Sequence, residues 1–415
     1  MEGTGMKMSH RHGSRLGLAC AVVAVLAVSA CSSTGSAASP GAGGSSKGGP
    51  IKIGAAVGLT GILKDYDGPV LDVAKYSIEQ INAAGGIGGR QVELQVLDTK
   101  SDIARGGQVA QQLIDDGAQI MLVSKDFDFG SPAALVAQKN GMVSITLGAQ
   151  SPKFGVQGVG DKAYSFAASA GNTGSVLATF AKKQGYAKAF TLLDDTISYT
   201  RGVNQAFTKF FKQGGGTIVG ADSFKNDDSS IAVQINKIKQ AQPDVLFLAS
   251  YPPGGASALR QIRAAGIDIP ILSGDPFDGN NWVSAVPGLS NFFHTTAASV
   301  LGDDPDPAVN TWVAAYNKKT GNPVTVGGAL VGNTIIEALK IAIEKTGTTD
   351  GAKLAAALDT FNHQQPFLSG PLTFTPQAHI QLDAPLRIVK YTNGKRAFFE
   401  TVQPEFPASI TDGIG

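Results

Sequence analysis

The chain has 415 residues, with 34 Lys and Arg against 33 Asp and Glu, a formal charge of +1, and two cysteines. So even a balance offers no basic surface for nucleic acid, and two cysteines supply no disulfide framework to replace a core. With 43% hydrophobic residues, the chain is long enough to bury more than one core.

The first thirty residues stand apart from the rest. Lys7, Arg11 and Arg15 form a positive head, and residues 16–30 (LGLACAVVAVLAVSA) are an apolar run shorter than the roughly 20 residues of a spanning helix. This is the pattern of a secretory signal. It ends in Val28-Ser29-Ala30-Cys31, which resembles the lipobox of bacterial lipoproteins, where the signal is cut before the cysteine and that thiol carries the lipid. Residues 31–49, rich in Gly, Ser and Ala, form a flexible tether. Cys20 leaves with the signal, so the exported part depends on burial alone for its stability. Its charge balance becomes 31 basic against 32 acidic residues.

From residue 50 the chain alternates short apolar, β-branched runs with amphipathic stretches. IKIGAAV (51–57) is a predicted strand, and Val70, Val73, Ala74, Ser77, Ile78 and Ile81 fall on one helical face that Gly85-Gly86 closes. VELQVL (92–97), AQIMLVS (118–124) and MVSITL (142–147) follow as strands, with helices ending near Asp116 and starting at Ser131. A second set begins at AKAFTLLDD (187–195) and continues through GTIVGAD (216–222), PDVLFLAS (243–250) and DIPILSG (268–274), with helices over 201–213, 229–240 and 255–265. The expected fold is α/β: two doubly wound parallel-sheet lobes in series. In such sheets a ligand sits beyond the carboxyl ends of the strands. The segments that follow the strands are residues 58–66, 124–131, 148–151, 194–199, 251–254 and 275–279, and they carry mainly aromatic, hydroxyl and acidic side chains.

Several chemistries lack their residues. There is no GxxxxGK[ST] phosphate loop, and GGIGGR (85–90) follows a helix and precedes a strand, the reverse of a dinucleotide fingerprint. The exported part has three histidines, His294, His363 and His379, without ligand-like spacing, and they read as ordinary surface or partly buried residues. No GxSxG elbow occurs, and acidic pairs such as Asp194-Asp195 read as turn or cap residues. Neither an enzyme, a metal nor a cofactor is expected.

EQINAAGGIGGRQVELQVLDTKSD (79–102) is similar to the opening of the Leu/Ile/Val-type extracytoplasmic solute-binding proteins. GLTG (58–61) with Tyr66, residues 234–267, and LSGPLTFTPQAHIQ (368–381) resemble that family's first binding loop, a segment of its second lobe and its late strand region. The resemblance implies a type I periplasmic-binding-protein fold, two lobes joined by a three-crossing hinge. On that template lobe I is 50–168 plus 297–375, lobe II is 169–296 plus 376–405, and 406–415 is a C-terminal tail. It also implies delivery of an amino acid, or a similar small polar organic solute, to an ABC permease and its ATPases, and with the lipobox at Cys31 the expectation is a lipid-anchored monomer on the outer face of the membrane. A sugar, polyol, cation or aromatic acid as ligand, or service as the sensing module of a signalling receptor, are the alternatives.

In amino-acid-binding members, hydroxyl residues after the third strand and a Gly-Ala-Thr turn after the fourth hold the ligand carboxylate, and an acid in lobe II pairs with its ammonium. Here that turn reads Gly148-Ala149-Gln150-Ser151, and Asp275 stands for the lobe II acid. The ligand residues expected on this template are Tyr66, Phe127, Ser131, Ala149 and Gln150 from lobe I, with Tyr199, Tyr251 and Asp275 from lobe II. The departure is SKDFDFGSP (124–132), where Phe127 takes the place of the first clamping hydroxyl between Asp126 and Asp128. Either Phe127 and Phe129 point inward while the acids are solvated, or an acid points inward toward a polyol or cation, or the Phe pair only fills the upper core. Ser131-Pro132 is the expected helix cap, with Pro at the first helical position.

Overall fold

A computed structural model describes residues 48–364 and 367–415. The signal sequence, Cys31 and residues 31–47 of the tether lie outside the described residues.

The first sheet is wholly parallel. Its strands are β1 (Ile51–Val57), β2 (Val92–Asp98), β3 (Ile120–Val123), β4 (Ser144–Thr146) and β5 (Ala163–Ser165), in the order β2-β1-β3-β4-β5. β3 is an unbroken apolar run, and β1 is broken only by the exposed Lys52 near its start, because helices cover both faces of the sheet. Helix α1 (Lys64–Ala83) turns Val70, Val73, Ala74, Ser77, Ile78 and Ile81 inward, the face its periodicity predicts. It ends where Gly86, at φ 82°, donates its N–H to the Ile81 carbonyl; a side chain there would collide with the Arg90 carbonyl. α2 (Ile103–Asp115) and α3 (Phe127–Lys139) pack on the other face.

The second sheet is built from α4 (Ala170–Lys183) onward. β6 (Lys188–Asp194), β7 (Thr217–Phe224), β8 (Val245–Ala249), β9 (Ile271–Ser273) and β10 (Phe292–Thr296) run parallel. α5 (Ser198–Gln213), α6 (Ala232–Ala241) and α7 (Gly254–Ala264) connect them. After α8 (Pro307–Thr320), α9 (Val331–Thr346) and α10 (Gly351–Leu358), an antiparallel hairpin of β11 (Leu386–Thr392) and β12 (Lys395–Val402) completes the order β12-β11-β10-β9-β8-β6-β7.

α8 and α9 pack on α1, so the chain returns to the first sheet before closing on the second. It therefore crosses between the sheets three times. Two crossings run side by side: Ser169 donates to the Gln381 carbonyl at 2.8 Å, and Ser165 to that of His379 at 2.8 Å. The third passes Asp278, whose carboxylate accepts from Thr296 Oγ1 and from the Gly327 N–H, each at 2.7 Å.

Three expectations change. Residues 368–381 form isolated bridges instead of a strand, because Gly370, Pro371 and Pro376 interrupt the ladder. Residues 406–415 are packed: Asp412 receives Lys209 Nζ at 2.5 Å and its carbonyl lies against Gly171 of α4. α3 begins at Phe127, four residues before the expected cap.

Gly332 of α9 faces α1 so closely that a Cβ would lie 2.2 Å from the Val70 carbonyl oxygen. Gly332→Ala is expected to lower the unfolding free energy by about 3 kcal/mol, read as a lower urea midpoint at unchanged slope.

Candidate ligand site between the sheets

Each sheet reverses its strand order once, between β1 and β3 and between β6 and β8. At such switch points the loops diverge and leave a crevice at the carboxyl ends of the strands. The two crevices face each other across a cavity of about 590 Å³, within the ~300–1,000 Å³ of small-molecule sites. Tyr66, Phe127, Ser131 and Gln150 line it from the first sheet's side, and Tyr199, Tyr251 and Asp275 from the second. Ala149 does not reach it. Its side chain packs in the core beside Val123 and Phe154, and its carbonyl accepts from Ser165 Oγ at 2.5 Å.

The loops are held from beneath by buried carboxylates. Asp67 is fully buried in the first turn of α1 and accepts from Gly58 N at 2.8 Å, Ser124 Oγ at 2.7 Å and Lys125 N at 2.7 Å. Burial outweighs these bonds and pushes its pKa up to about 6. Asp98 accepts from the Leu59 and Thr60 N–H groups and so shapes the GLTG loop. On the opposite side Asp194, also fully buried, accepts from Thr196, Asn226 and Ser250.

The DFDF stretch matches neither of its inward-or-solvated alternatives. All four side chains line the cavity, and both acids are engaged. Asp126 is the cap of α3 and accepts from Asp128 N at 2.8 Å. Ser131 lies inside the helix and Pro132 in its second turn, because Asp126, as good a cap residue as Ser131, starts the helix upstream of it. Asp128 reaches across the cleft to the start of α5, accepting from Ser198 N at 3.1 Å and Ser198 Oγ at 2.7 Å. α5 has no cap of its own, so the facing lobe provides one.

Asp275 is likewise taken up within the protein. Lys125 Nζ lies 3.0 Å from one of its oxygens, with the two side chains 14% and 15% exposed, and Gln150 Nε2 donates to the other at 2.6 Å. Gln150 Oε1 in turn accepts from Thr173 Oγ1 at 2.9 Å. Tyr66 donates to the Pro252 carbonyl at 3.3 Å, another bond across the cleft. Burial, and then the Asp275 charge, hold the Tyr199 hydroxyl well above its usual pKa, and burial followed by the Asp194 charge pushes Tyr251 up to about 12.

The rest of the wall is apolar: Leu63, Phe129, Pro132, Ile197 and Pro276, with Ile62 and Ile103 at 44% and 48% exposure. From the sequence Lys125 has no assigned role, and Ile103 is missed because the segment after β2 is not among those expected to face a ligand. An unpaired isoleucine at the start of α2 was the available signal. His294 and His379 are buried, not partly exposed, and burial holds both below the usual imidazole pKa. Among the described residues no group of three His, Cys, Asp or Glu could hold a metal ion, and no helix is long and apolar enough to cross a membrane.

Burial, followed by the neighbouring Asp128 charge, pushes the Asp126 pKa up to about 7. The folded chain therefore keeps a proton that the unfolded chain releases near pH 4, and this contribution to stability declines as pH rises from about 4 to 7. Asp126→Asn retains the cap acceptor without the charge. It is expected to match the parent near pH 4 and to exceed it above pH 7 by on the order of 2 kcal/mol, with water in the cavity screening the remainder. Urea unfolding at pH 4, 6 and 8 measures this.

Two wound lobes with a solute-sized cavity between the carboxyl ends of their sheets define a two-lobed binding protein. The chain belongs to the periplasmic binding protein family, which it matches over residues 50–396. It is 26% identical over 346 residues to Leu/Ile/Val-binding protein homolog 3 of Brucella melitensis, covering 83% of this chain and 92% of that one. It is 25% identical over 332 residues to the leucine-, isoleucine-, valine-, threonine- and alanine-binding protein of Pseudomonas aeruginosa, covering 80% and 87%. The fold is shared with the branched-chain amino acid transporter substrate binding protein LivJ of Streptococcus pneumoniae in complex with isoleucine, at TM-score 0.75, 22% identity and 86% and 100% coverage. It is shared too with a solute binding protein from R. palustris in complex with benzoate, at TM-score 0.70, 17% identity and 88% and 99% coverage.

Proposed function

We propose that this chain is the extracytoplasmic substrate-binding component of an ABC importer, a monomer anchored by lipid at Cys31. It captures a small organic solute, an amino acid or a molecule of similar size, between its lobes and presents it to the permease. Its role is binding without catalysis. The observation that carries this reading is the cavity itself, walled mostly by the first lobe, closed by the second, and bridged by Asp128, Gln150 and Tyr66. The Leu/Ile/Val-binding relatives and the isoleucine complex support an amino acid as solute, and the benzoate complex supports an aromatic one. A lipid tether keeps such a receptor at high effective concentration beside its permease.

Thermal unfolding of residues 32–415 against branched-chain and aromatic amino acids, aromatic acids and their uncharged analogues tests the reading. A solute at a hundred times its Kd contributes about 2.7 kcal/mol, so at least one member is expected to raise the midpoint. Phe127→Ala, which empties one wall without removing a buried polar group, is expected to abolish that rise. A shift that persists in this variant would place the solute elsewhere.

A further inference from the structure

We infer that the solute taken by this cavity is a neutral, largely apolar molecule, with no free carboxylate or ammonium. The inference rests on the proposed reading of the cavity as the solute site.

Four charged side chains line the cavity, Lys125, Asp126, Asp128 and Asp275, and each already has a partner within the protein. The start of α3, where exposed N–H groups and the helix dipole would attract an anion, is occupied by the chain's own Asp126 carboxylate. The start of α5 is occupied in the same way by Asp128 from the opposite lobe. The one cation lining the cavity among the described residues, the Lys125 ammonium, is 3.0 Å from Asp275, and the second oxygen of Asp275 is taken by Gln150 at 2.6 Å. A zwitterion needs one free anion-binding set and one free carboxylate. To find either it would have to break an internal pair and leave a desolvated charge behind.

Asp128, Asp275 and the partly ionised Asp126 against one ammonium also set a potential in the cleft that disfavours an incoming anion. The same three groups do not make a cation site, because two are spent on helix starts and the third on Lys125. What the cavity still offers is apolar and aromatic wall, together with neutral hydroxyls: Ser131, which lines it without a hydrogen bond to the protein among the described residues, Tyr251, and Tyr199, whose hydroxyl is buried without a hydrogen-bond partner among them. A neutral hydroxyl suits one hydrogen bond from an uncharged solute.

Two matched series test this by calorimetric titration. The first is 3-methylindole (neutral), tryptamine (cation), indole-3-acetate (anion) and L-tryptophan (zwitterion). The second is 3-methylbutan-1-ol, 3-methylbutylamine, 4-methylpentanoate and L-leucine. In the series that binds, the neutral member is expected to bind at least tenfold more tightly than each charged one. A charged member that equals or exceeds it overturns the inference and leaves the cavity as the solute site. If no member of either series binds, the reading of the cavity falls together with the inference. Lys125→Met removes the internal partner of Asp275, so the ratio of amine to neutral affinity is expected to rise at least tenfold. An unchanged ratio would overturn the role given to the Lys125–Asp275 pair.

Discussion

Asp67→Ala is expected to lower the unfolding free energy by about 4 kcal/mol. The carboxylate is fully buried and satisfies two backbone N–H groups, Gly58 and Lys125, as well as the Ser124 hydroxyl. Removing it leaves two buried donors with no acceptor, and each costs about 1–3 kcal/mol. It also frees both loops at the β1–β3 switch point, so solute affinity falls even at temperatures where the variant is folded. Asp67→Asn keeps one acceptor oxygen and is expected to lose about half as much. Chemical unfolding of both variants at pH 7 measures the difference. A loss below about 1 kcal/mol for the alanine variant would mean that the loops are held by something other than this carboxylate.

Asp275→Ala is expected to weaken binding of a neutral solute by about 2–5 kcal/mol. The reason is closure more than direct contact. Lys125 belongs to the first lobe and Asp275 to the second, and their side chains are only 14% and 15% exposed where they meet. Without Asp275 a closed cleft holds an ammonium with no counter-charge, so the open form is favoured and apparent affinity drops by the same factor. Lys125→Met/Asp275→Leu removes both charges and is expected to recover most of the affinity. If the double variant is as weak as the single one, Asp275 acts through the solute instead.

The architecture was legible wherever a segment obeyed one period. β1, the buried face of α1 and the Gly85-Gly86 stop followed from apolar spacing alone, because a strand covered on both faces and a helix covered on one leave different patterns. The late β11–β12 hairpin was not legible, since its outer strand alternates exposed and half-buried residues with no neighbour in sequence to say which sheet it joins. The start of α3 was misplaced because Ser131-Pro132 carries a strong local cap signal, while Asp126 carries an equally good one that is disguised by the flanking phenylalanines. Around the cavity, residue types after each strand pointed to the right loops. The pairings were invisible: nothing local to Lys125 indicates Asp275, 150 positions away, and nothing local to Asp128 indicates the uncapped start of α5. These pairings decide what the cavity has left to offer a solute.

The central claim, that the two lobes close around a small solute held in the interlobe cavity, is tested most directly by a distance across the cleft. The exported part has no cysteine after Cys31, so spin labels at Gln111→Cys in the first lobe and Asp227→Cys in the second report without interference in a Cys31→Ser background. With the tightest-binding member of the two series, the interlabel distribution is expected to narrow and its mean to shorten, and Phe127→Ala is expected to prevent the change. An unaltered distribution at saturating solute would contradict the account.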